Sequence, residues 1–355
     1  MTLLARYVGK VVLSAMLIVL FLLLGLDLVF SFLGELEDLA GNYQAAQALY
    51  FVLLSLPFRL YEMMSIAALI GGIVGLGLLA NHAELTVMRA AGLSIWRIVL
   101  WVMQPALLLV VTSLVISEYV VPISQPKAQD YKTQALGHAL STGELWGYWQ
   151  RQDNTLVQMH NVSTDGVLKG VTFYHFADNG RLLAKEVAQQ GVYQSQDKWQ
   201  LTQIRHYQFA YNGQVQVSEQ AQRIWQSELN PEFLKLVSSS PEYLAPTHLY
   251  RYAEYLAGQG LIAKQYFLEF WKKVFAPLAT LSMVLVACSF IFGPLRSVTM
   301  GLRIISGILV GLLFRYAQDF SGYASLVYDF SPLLAAALPI VISLVAGVWA
   351  LQRVK

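Results

Sequence analysis

Asn81-His-Ala-Glu-Leu-Thr-Val-Met-Arg-Ala-Ala-Gly-Leu-Ser-Ile-Trp-Arg97 is a polar stretch that lies between two long apolar runs. Asn81 can cap the start of a helix, with Glu84 three residues later to complete the capping pair. Leu85 and Met88 would then share one helix face, one turn apart. The pattern predicts a short helix that begins at Asn81 and exposes an apolar edge.

The second half of this stretch predicts a break and a new start. Gly92 can end the first helix, and Ser94 can cap the next one. Two short helices that meet at an angle are more structure than a bare loop between apolar runs requires. We therefore interpret residues 81–97, named the hinge from here on, as a docking surface for another protein.

The composition indicates a membrane protein. The chain is 56% hydrophobic and 13% charged, whereas soluble domains average roughly 45–50% and about 25%. The mean hydropathy is +0.50, and the excess apolar surface has to be covered by lipid. The formal net charge of +2 gives no indication of nucleic-acid binding. The single cysteine, Cys288, lies in an apolar run, which excludes an internal disulfide and favours a packing role.

Six apolar stretches are long enough to cross a bilayer, which takes about 20 residues. They are residues 11–33, about 48–79, 98–121, 271–293, about 304–320 and 332–351. The first follows Arg6 and Lys10, as the core of a signal peptide does. It is longer than the roughly 7–15 residues of a cleavable core and no small-x-small site follows it, so we predict an uncleaved span.

The second stretch is too long for one straight crossing. Its first turns, around Pro57, are therefore expected to lie in the membrane interface. Within it, Gly71 and Gly75 are one turn apart, which either permits the close approach of another helix or provides flexibility.

The distribution of charge predicts the orientation of the spans. The segments assigned to one side carry a single acid, Glu84, and eight basic residues. The basic residues are Arg6, Lys10, Arg89, Arg97, Arg296, Arg303, Arg353 and Lys355. The short loops on the other side carry Glu35, Glu37, Asp38 and Asp329 and no lysine or arginine. The positive-inside rule therefore places both termini and the hinge in the cytoplasm.

Residues 123–265 form a polar block between the third and fourth spans, with the period-two alternation of β-strands. The predicted strands are Leu145–Arg151, Thr155–His160, Val167–Phe176, Arg181–Val187, Gly191–Gln196, Trp199–Ile204, Tyr207–Tyr211 and Val215–Ser218. The predicted turns are Asp153-Asn154, Asp165-Gly166, Asn179-Gly180 and Asn212-Gly213. So many short strands favour a small antiparallel sandwich or jelly roll. A helix is predicted at about Pro246–Gly258.

The predicted fold is an α-helical membrane protein with six transmembrane helices and an inserted all-β jelly-roll domain between the third and fourth. Residues 1–122 would hold helices one to three with the hinge, residues 123–265 the β domain on the outer side, and residues 266–355 helices four to six.

No motif indicates an enzyme. A Walker A loop needs Gly-x-x-x-x-Gly-Lys-Ser/Thr to hold phosphate, whereas the only Gly-Lys precedes Val11 and opens a span. Neither Gly-x-Ser-x-Gly nor His-Glu-x-x-His occurs. The histidines have no metal-ligand spacing: His82, His138, His160, His175, His206 and His248. We expect no catalytic residue, metal or cofactor on this chain, so ATP, if it is used, would be hydrolysed with Mg on a partner.

Two groups of residues remain as candidate sites. Glu84 either completes the helix cap or offers a charge to a partner's groove, beside the exposed Leu85 and Met88. Charges at membrane depth or at its outer edge usually face a cavity or a partner. The basic residues expected near the outer leaflet are Lys132, Lys127, Arg59, Lys272, Lys273 and Arg315.

These six basic residues have two open interpretations. They can form a ring suited to the phosphates or carboxylates of a lipid. Alternatively, Arg315 and Asp319, four residues apart on one helix face, neutralise each other, and Lys272 and Lys273 extend to the interface.

Three motifs resemble one known family. They are Phe290-Ile-Phe-Gly-Pro-Leu-Arg-Ser-Val-Thr-Met-Gly301, the Glu84-Leu85-x-x-Met88 hinge and Leu-Val-Tyr at 326–328. These residues and the topology of essentially the whole chain resemble the LptF/LptG family of lipopolysaccharide-export permeases. The first motif is long and specific, whereas the Glu-Leu hinge alone would be weak.

The resemblance implies one permease of an ABC transporter in the bacterial inner membrane. The expected partners are the related permease LptF as a heterodimer, an LptB ATPase dimer, the single-span protein LptC and, indirectly, the LptA bridge. Lipopolysaccharide would enter the cavity between the permeases from the outer leaflet and pass to periplasmic jelly-roll domains. The coupling residues would be Glu84, Leu85, Met88 and Arg89, with the glutamate in the groove of the ATPase.

The resemblance also ranks the basic residues. Basic residues at the mouth of the family's cavity contact lipid phosphates, which favours Lys132, within Tyr131-Lys-Thr-Gln134. Relatives often carry a lysine pair just past the first span, where this chain has Glu37-Asp38. Lipid-phosphate binding by that segment is therefore not expected, and Arg59, Arg315 or the partner permease would supply the charge.

Two other functions remain compatible with the residue patterns. A stand-alone secondary transporter would use Arg315, Asp319 and Glu62 as an ion-coupled site, but inverted repeats are missing and the hinge is elaborate. A scaffold would recruit partners through its outer β domain, but glycine-rich spans and charges at membrane depth argue against pure anchoring.

Overall fold

The computed structural model describes residues 3–40, 42–136, 148–152, 154–162, 167–195, 198–210, 214–227, 240–258, 263–293 and 298–353. The chain divides into two compact units, which we describe separately. The membrane unit comprises Met1–Ala135 and Pro241–Lys355, and the strand unit comprises Leu136–Ser240.

The membrane unit is mainly helical. Its helices are α1 (Leu3–Glu35), α2 (Ala45–Leu54), α3 (Leu56–Asn81), α4 (Glu84–Ala90), α5 (Ile95–Val115), α6 (Val121–Leu136), α7 (Pro246–Gly258), α8 (Lys264–Phe292), α9 (Met300–Tyr328) and α10 (Pro332–Gln352). Among the described residues, six helical segments are long and apolar enough to cross a membrane, which confirms the predicted number. A π-helical segment, Ile116–Val120, joins α5 to α6 in one of them.

Two helix boundaries differ from the sequence prediction. The long second stretch is divided at Ser55 into α2 and α3, with Pro57 in the first turn of α3, where its missing N–H costs no helix bond. The third span continues to Leu136, because the π-helical segment carries the helix past Pro122. The strand unit covers Leu136–Ser240, within the predicted block of residues 123–265.

The strand unit contains six strands: β1 (Tyr148–Gln152), β2 (Thr155–Val162), β3 (Val167–Phe176), β4 (Leu182–Ser195), β5 (Lys198–Phe209) and β6 (Val215–Gln226). The described strands form one antiparallel sheet in the order β1-β2-β3-β4-β5-β6. The inserted β domain is confirmed, and its described strands follow one another as a meander within a single sheet. Its core contains Phe173, Trp199 and Trp225.

Two pairs of predicted strands are single strands in the structure. Gly191 does not end β4, because it pairs with Leu168 of β3 and Leu201 of β5. The side chain of Leu201 covers it, and a Cβ at Gly191 would be 3.0 Å from Leu201 Cδ2. Gln203, with φ +54°, disturbs β5 locally without ending it. The predicted turn at Asn179-Gly180 is confirmed, with Gly180 at φ +78°. The pairs Asp165-Gly166 and Asn212-Gly213 lie outside the described residues.

α3 lies at the centre of the membrane unit and packs against α1, α8 and α9. A Cβ on Gly71 would overlap Met16 Cα, and one on Gly75 would lie 2.8 Å from Val12 Cα. The two glycines therefore permit the α1–α3 approach and are not flexible elements. Cys288 is fully buried in the same core, which confirms its packing role.

We expect Gly71→Ala to destabilise the protein by about 1–3 kcal/mol, since the added methyl group overlaps the backbone of α1. The measurement is the midpoint of SDS-driven unfolding in mixed micelles. Gly25→Ala is the matched control, because nothing lies within 4 Å of a Cβ at Gly25. Alanine favours a helix over glycine by roughly 0.8–1 kcal/mol, so the control should be neutral or slightly stabilised. Equal midpoints for the two variants would contradict the close α1–α3 contact.

Candidate functional site

The hinge helix α4 begins at Glu84 and not at Asn81, so the predicted Asn81 cap is wrong. α3 runs through Asn81, and the chain turns at Ala83 in the left-handed region, with φ +58°. The physical reason is a long-range contact. Arg303 Nη1 donates to Asn81 Oδ1 at 3.0 Å and to Gly77 O at 3.2 Å. Asn81 is therefore the last residue of α3, and its side-chain oxygen is bonded to Arg303 instead of capping α4.

The apolar face of α4 points into the membrane unit. Leu85 is 5% exposed and Met88 is 7% exposed, and both belong to the main transmembrane core. The predicted exposure of these two residues is therefore wrong. The apolar side chains that do face outward are Val87, 66% exposed, and Trp96, 44% exposed. Sequence reasoning missed them because neither belongs to the pair of residues one turn apart.

Glu84 lies in the first turn of α4, where a carboxylate is favoured by the helix dipole. Its side chain is 30% exposed. Tyr7 Oη, from the first turns of α1, donates to Glu84 Oε1 at 3.0 Å. His82 Nδ1 lies 4.0 Å from the same oxygen. Glu84 is thus held in place by α1 and remains accessible to another molecule.

The break after α4 is confirmed. Gly92 has φ +86°, and the Ser94 hydroxyl accepts a hydrogen bond from Arg97 N at 3.3 Å. The second predicted short helix is instead the beginning of the long helix α5. An open cavity of about 450 Å³ lies beside this turn, with Arg89 and Trp96 among its lining residues and the end of α10 on its other side.

The end of the membrane unit opposite the hinge carries the predicted basic residues, and carboxylates from the same chain lie against most of them. Lys132 Nζ lies 2.7 Å from Glu35 Oε2 and 3.0 Å from Asp38 Oδ2. The same ammonium lies 5.2 Å from the centre of the Phe51 ring. Its side chain is 18% exposed. Through these two ion pairs, the acidic residues at the end of α1 hold α6 in place.

The two arginines at membrane depth are paired across helices. Arg59 Nη1 donates to Asp27 Oδ2 at 2.8 Å and also to the Ser31 hydroxyl. Arg315 Nη2 donates to Glu62 Oε1 at 2.7 Å. The predicted Arg315–Asp319 pair is present at 3.6 Å within the same helix. The contact with Glu62 joins this helix to α3.

The three remaining lysines differ from one another. Lys272 pairs with Glu269 at 2.9 Å. Lys273 is 4% exposed and donates to Leu244 O at 2.7 Å, so its predicted extension to the interface is wrong. Lys127 is exposed, and no ion pair to it is found within the part of the chain that the structure describes. Most of the six basic residues therefore have a partner within the described part of the chain, and they do not form a ring of free cations there.

The strand unit holds a charged cluster that the sequence did not reveal. Glu186 Oε1 lies 3.2 Å from His206 Nδ1 and 3.6 Å from His175 Nε2, and its second oxygen accepts from Arg223. Burial lowers the pKa of His175. The cluster joins four successive strands, and residues so far apart in the chain have no motif spacing. Among the described residues, no group of three or more His, Cys, Asp or Glu could hold a metal ion.

Comparisons with known proteins agree over almost the whole chain. Residues 6–353 match the family model of the lipopolysaccharide export system permease LptF/LptG. The lipopolysaccharide export system permease protein LptG of Escherichia coli strain K12 is 35% identical over 352 residues, 98% of this chain and 97% of that protein. The LptG protein of Haemophilus influenzae is 33% identical over 350 residues, 98% of each chain.

Leu85→Ala should lower the stability of the membrane unit, because a buried leucine truncated to alanine costs about 2–5 kcal/mol. Val87→Ala, two residues away on the outward face of α4, should change stability by about 0.5 kcal/mol or less. The SDS unfolding midpoints of the two variants and the parent protein provide the comparison. A larger loss for Val87→Ala than for Leu85→Ala would mean that α4 is turned the other way.

Proposed function

Because the chain belongs to the LptF/LptG family of lipopolysaccharide export permeases, we propose that it works as a permease subunit of an ATP-driven extractor. It is a multi-pass inner-membrane protein and a transporter component rather than an enzyme. The transported molecule is lipopolysaccharide or lipooligosaccharide, taken from the outer leaflet of the inner membrane and passed toward the outer membrane. Family membership favours this function over the two alternatives, a stand-alone secondary transporter and a membrane-anchored scaffold.

The orientation follows from the charges. Among the short connections between spans, the hinge carries Arg89 and Arg97, whereas the connection after α1 carries Glu37 and Asp38 and no lysine or arginine. The positive-inside rule supports a cytoplasmic hinge, cytoplasmic termini and a periplasmic strand unit. ATP and Mg would then be bound by a cytoplasmic LptB dimer, with LptF as the second permease, LptC as the wedged helix and LptA as the bridge.

The burial of Leu85 and Met88 supports ATPase coupling most directly. A loop that is pushed would bend, whereas α4 is fastened to the transmembrane core by these two side chains. A displacement of α4 therefore moves the ends of α3 and α5 with it. Glu84 and Arg89 supply charges at the surface of the hinge, and Val87 supplies an exposed apolar contact.

The lipid-binding proposal has to account for the ion pairs. A phosphate that binds Lys132 must compete with Glu35 and Asp38, which already neutralise its ammonium group. Such exchange would make binding reversible, as a transporter that releases its substrate requires. Lys127 is the more accessible cation on the same helix. Arg59, Lys272, Lys273 and Arg315 would contribute only if their internal partners were displaced.

Glu84→Ala should weaken association with the ATPase about tenfold or more, as expected when one partner of a close charge pair is removed. The ATPase recovered with the affinity-tagged permease pair and the lipopolysaccharide released per ATP are measured together. Glu254→Ala, an exposed acid on α7, is the control and should behave as the parent protein. Unchanged association and release in the Glu84 variant would rule out the hinge as the coupling site.

Asp38→Asn and Lys132→Glu should have opposite effects on lipid contact. The first removes one internal partner of Lys132 and should increase photo-crosslinking of lipopolysaccharide to a photoreactive residue at Gln129. The second reverses the charge and should decrease it, since like charges repel the lipid phosphate. Equal yields from both variants and the parent would remove Lys132 from the lipid site.

A further inference from the structure

Arg303 is a buried arginine near the start of α9, and its exposed fraction is 2%. Its guanidinium reaches across to the last turn of α3, where it donates to Gly77 O and to Asn81 Oδ1. A buried cation requires such partners, since an unpaired buried charge is costly. The end of a helix is also the favourable place for it, because the carbonyl dipoles are directed there.

Gly77 provides the space for this contact. A Cβ at Gly77 would lie 3.1 Å from Arg303 Nη1 and 3.1 Å from Met300 Sδ. The first turn of α9 thus lies directly on the backbone of α3. Gly77 leaves room for the Arg303 side chain, and Gly77 and Asn81 both accept its hydrogen bonds.

Between Arg303 at the hinge end and the Arg315–Glu62 ion pair further along, the α3–α9 contact consists of glycine and aliphatic side chains. The buried residues of α9 that face α3 here are Gly307 and Gly311, whereas Gly322 faces α8. A Cβ at Gly307 would meet Ile73, and one at Gly311 would be in ordinary contact with Leu69. These glycines let the two helices approach closely but provide no polar contact between them. At the hinge end, Arg303 is therefore the group that fixes the relative position of the two helices.

We propose that Arg303 is a positioning residue that makes α9 follow the hinge. The residue that it holds, Asn81, is three positions before Glu84, and α4 is fastened to the core. When the hinge is displaced, α3 and the start of α9 move as one body. The outward face of α9 is apolar and carries Leu313, Phe320 and Tyr323, each at least two-thirds exposed. This inference rests on the proposed function, because it assumes that a partner displaces the hinge.

A distance measurement tests the rigid connection. Spin labels at Leu78→Cys and Leu302→Cys, both partly exposed residues at the ends of α3 and α9, are introduced into a Cys288→Ala chain in the complete transporter. With Arg303 present, the distance between the labels should be the same in the nucleotide-free and vanadate-trapped states. With Arg303→Met, it should shift or broaden on trapping. A distance that changes with Arg303 present, or that stays constant in both proteins, overturns the proposal.

Transport measurements provide a second test, which distinguishes a failure of the proposed function from a failure of the role of Arg303. Arg303→Met should retain ATPase association and ATP hydrolysis, while lipopolysaccharide released per ATP falls about tenfold, in the range of typical coupling energies. Arg303→Lys keeps a cationic donor and should recover part of the release. Arg353→Gln, at the end of α10 and stacked on Trp349, should leave release per ATP unchanged.

The outcomes are distinguishable. If the parent complex shows no ATP-dependent release, the proposed function fails. If the parent complex releases lipopolysaccharide and Arg303→Met does so equally well per ATP, only the role of Arg303 fails. Should Arg303→Met not assemble, Gly77→Ala provides the test, because it retains the arginine and displaces the guanidinium. Release per ATP equal to that of the parent in Gly77→Ala would then count against the proposal.

Discussion

The burial of Leu85 and Met88 among the transmembrane helices is the contact on which the position of the hinge depends. Each buried side chain of this kind contributes roughly 1.5–3 kcal/mol relative to exposure. That is enough to hold a helix of seven residues, which would be marginal alone. The hinge is therefore part of the transmembrane core, and its outward face is left to Glu84, Val87 and Trp96.

Charge and close packing then organise the helices around α3. Gly71 and Gly75 bring α1 against its backbone, while Gly77 admits Arg303 from the other side. Each of these contacts requires the absence of a side chain on α3. At the end opposite the hinge, internal carboxylates neutralise Lys132, Arg59 and Arg315. The same chain thus supplies the counter-ions of these three basic residues.

The sequence predicted those features that depend on local pattern. Apolar length predicted six spans, and Gly92 with Ser94 predicted the break after α4. Periodicity showed that Leu85 and Met88 share a face, but not that this face turns inward, because the direction depends on distant helices. The Arg303–Asn81 contact joins residues 222 positions apart, and Lys132–Asp38 joins residues 94 apart. Such pairs leave no local signal in the sequence. The sequence therefore could not predict that Asn81 does not cap α4, or that the basic residues are paired with carboxylates of the same chain.

Hydrogen–deuterium exchange of the assembled transporter in lipid nanodiscs tests most directly whether the hinge belongs to the transmembrane core. The amides of α4 that are bonded within the helix should be protected to a similar degree as those at the end of α3, and protection of both should change together when ATP is bound. Rapid exchange in α4 at the rate of an unprotected loop, beside a protected α3, would contradict this account.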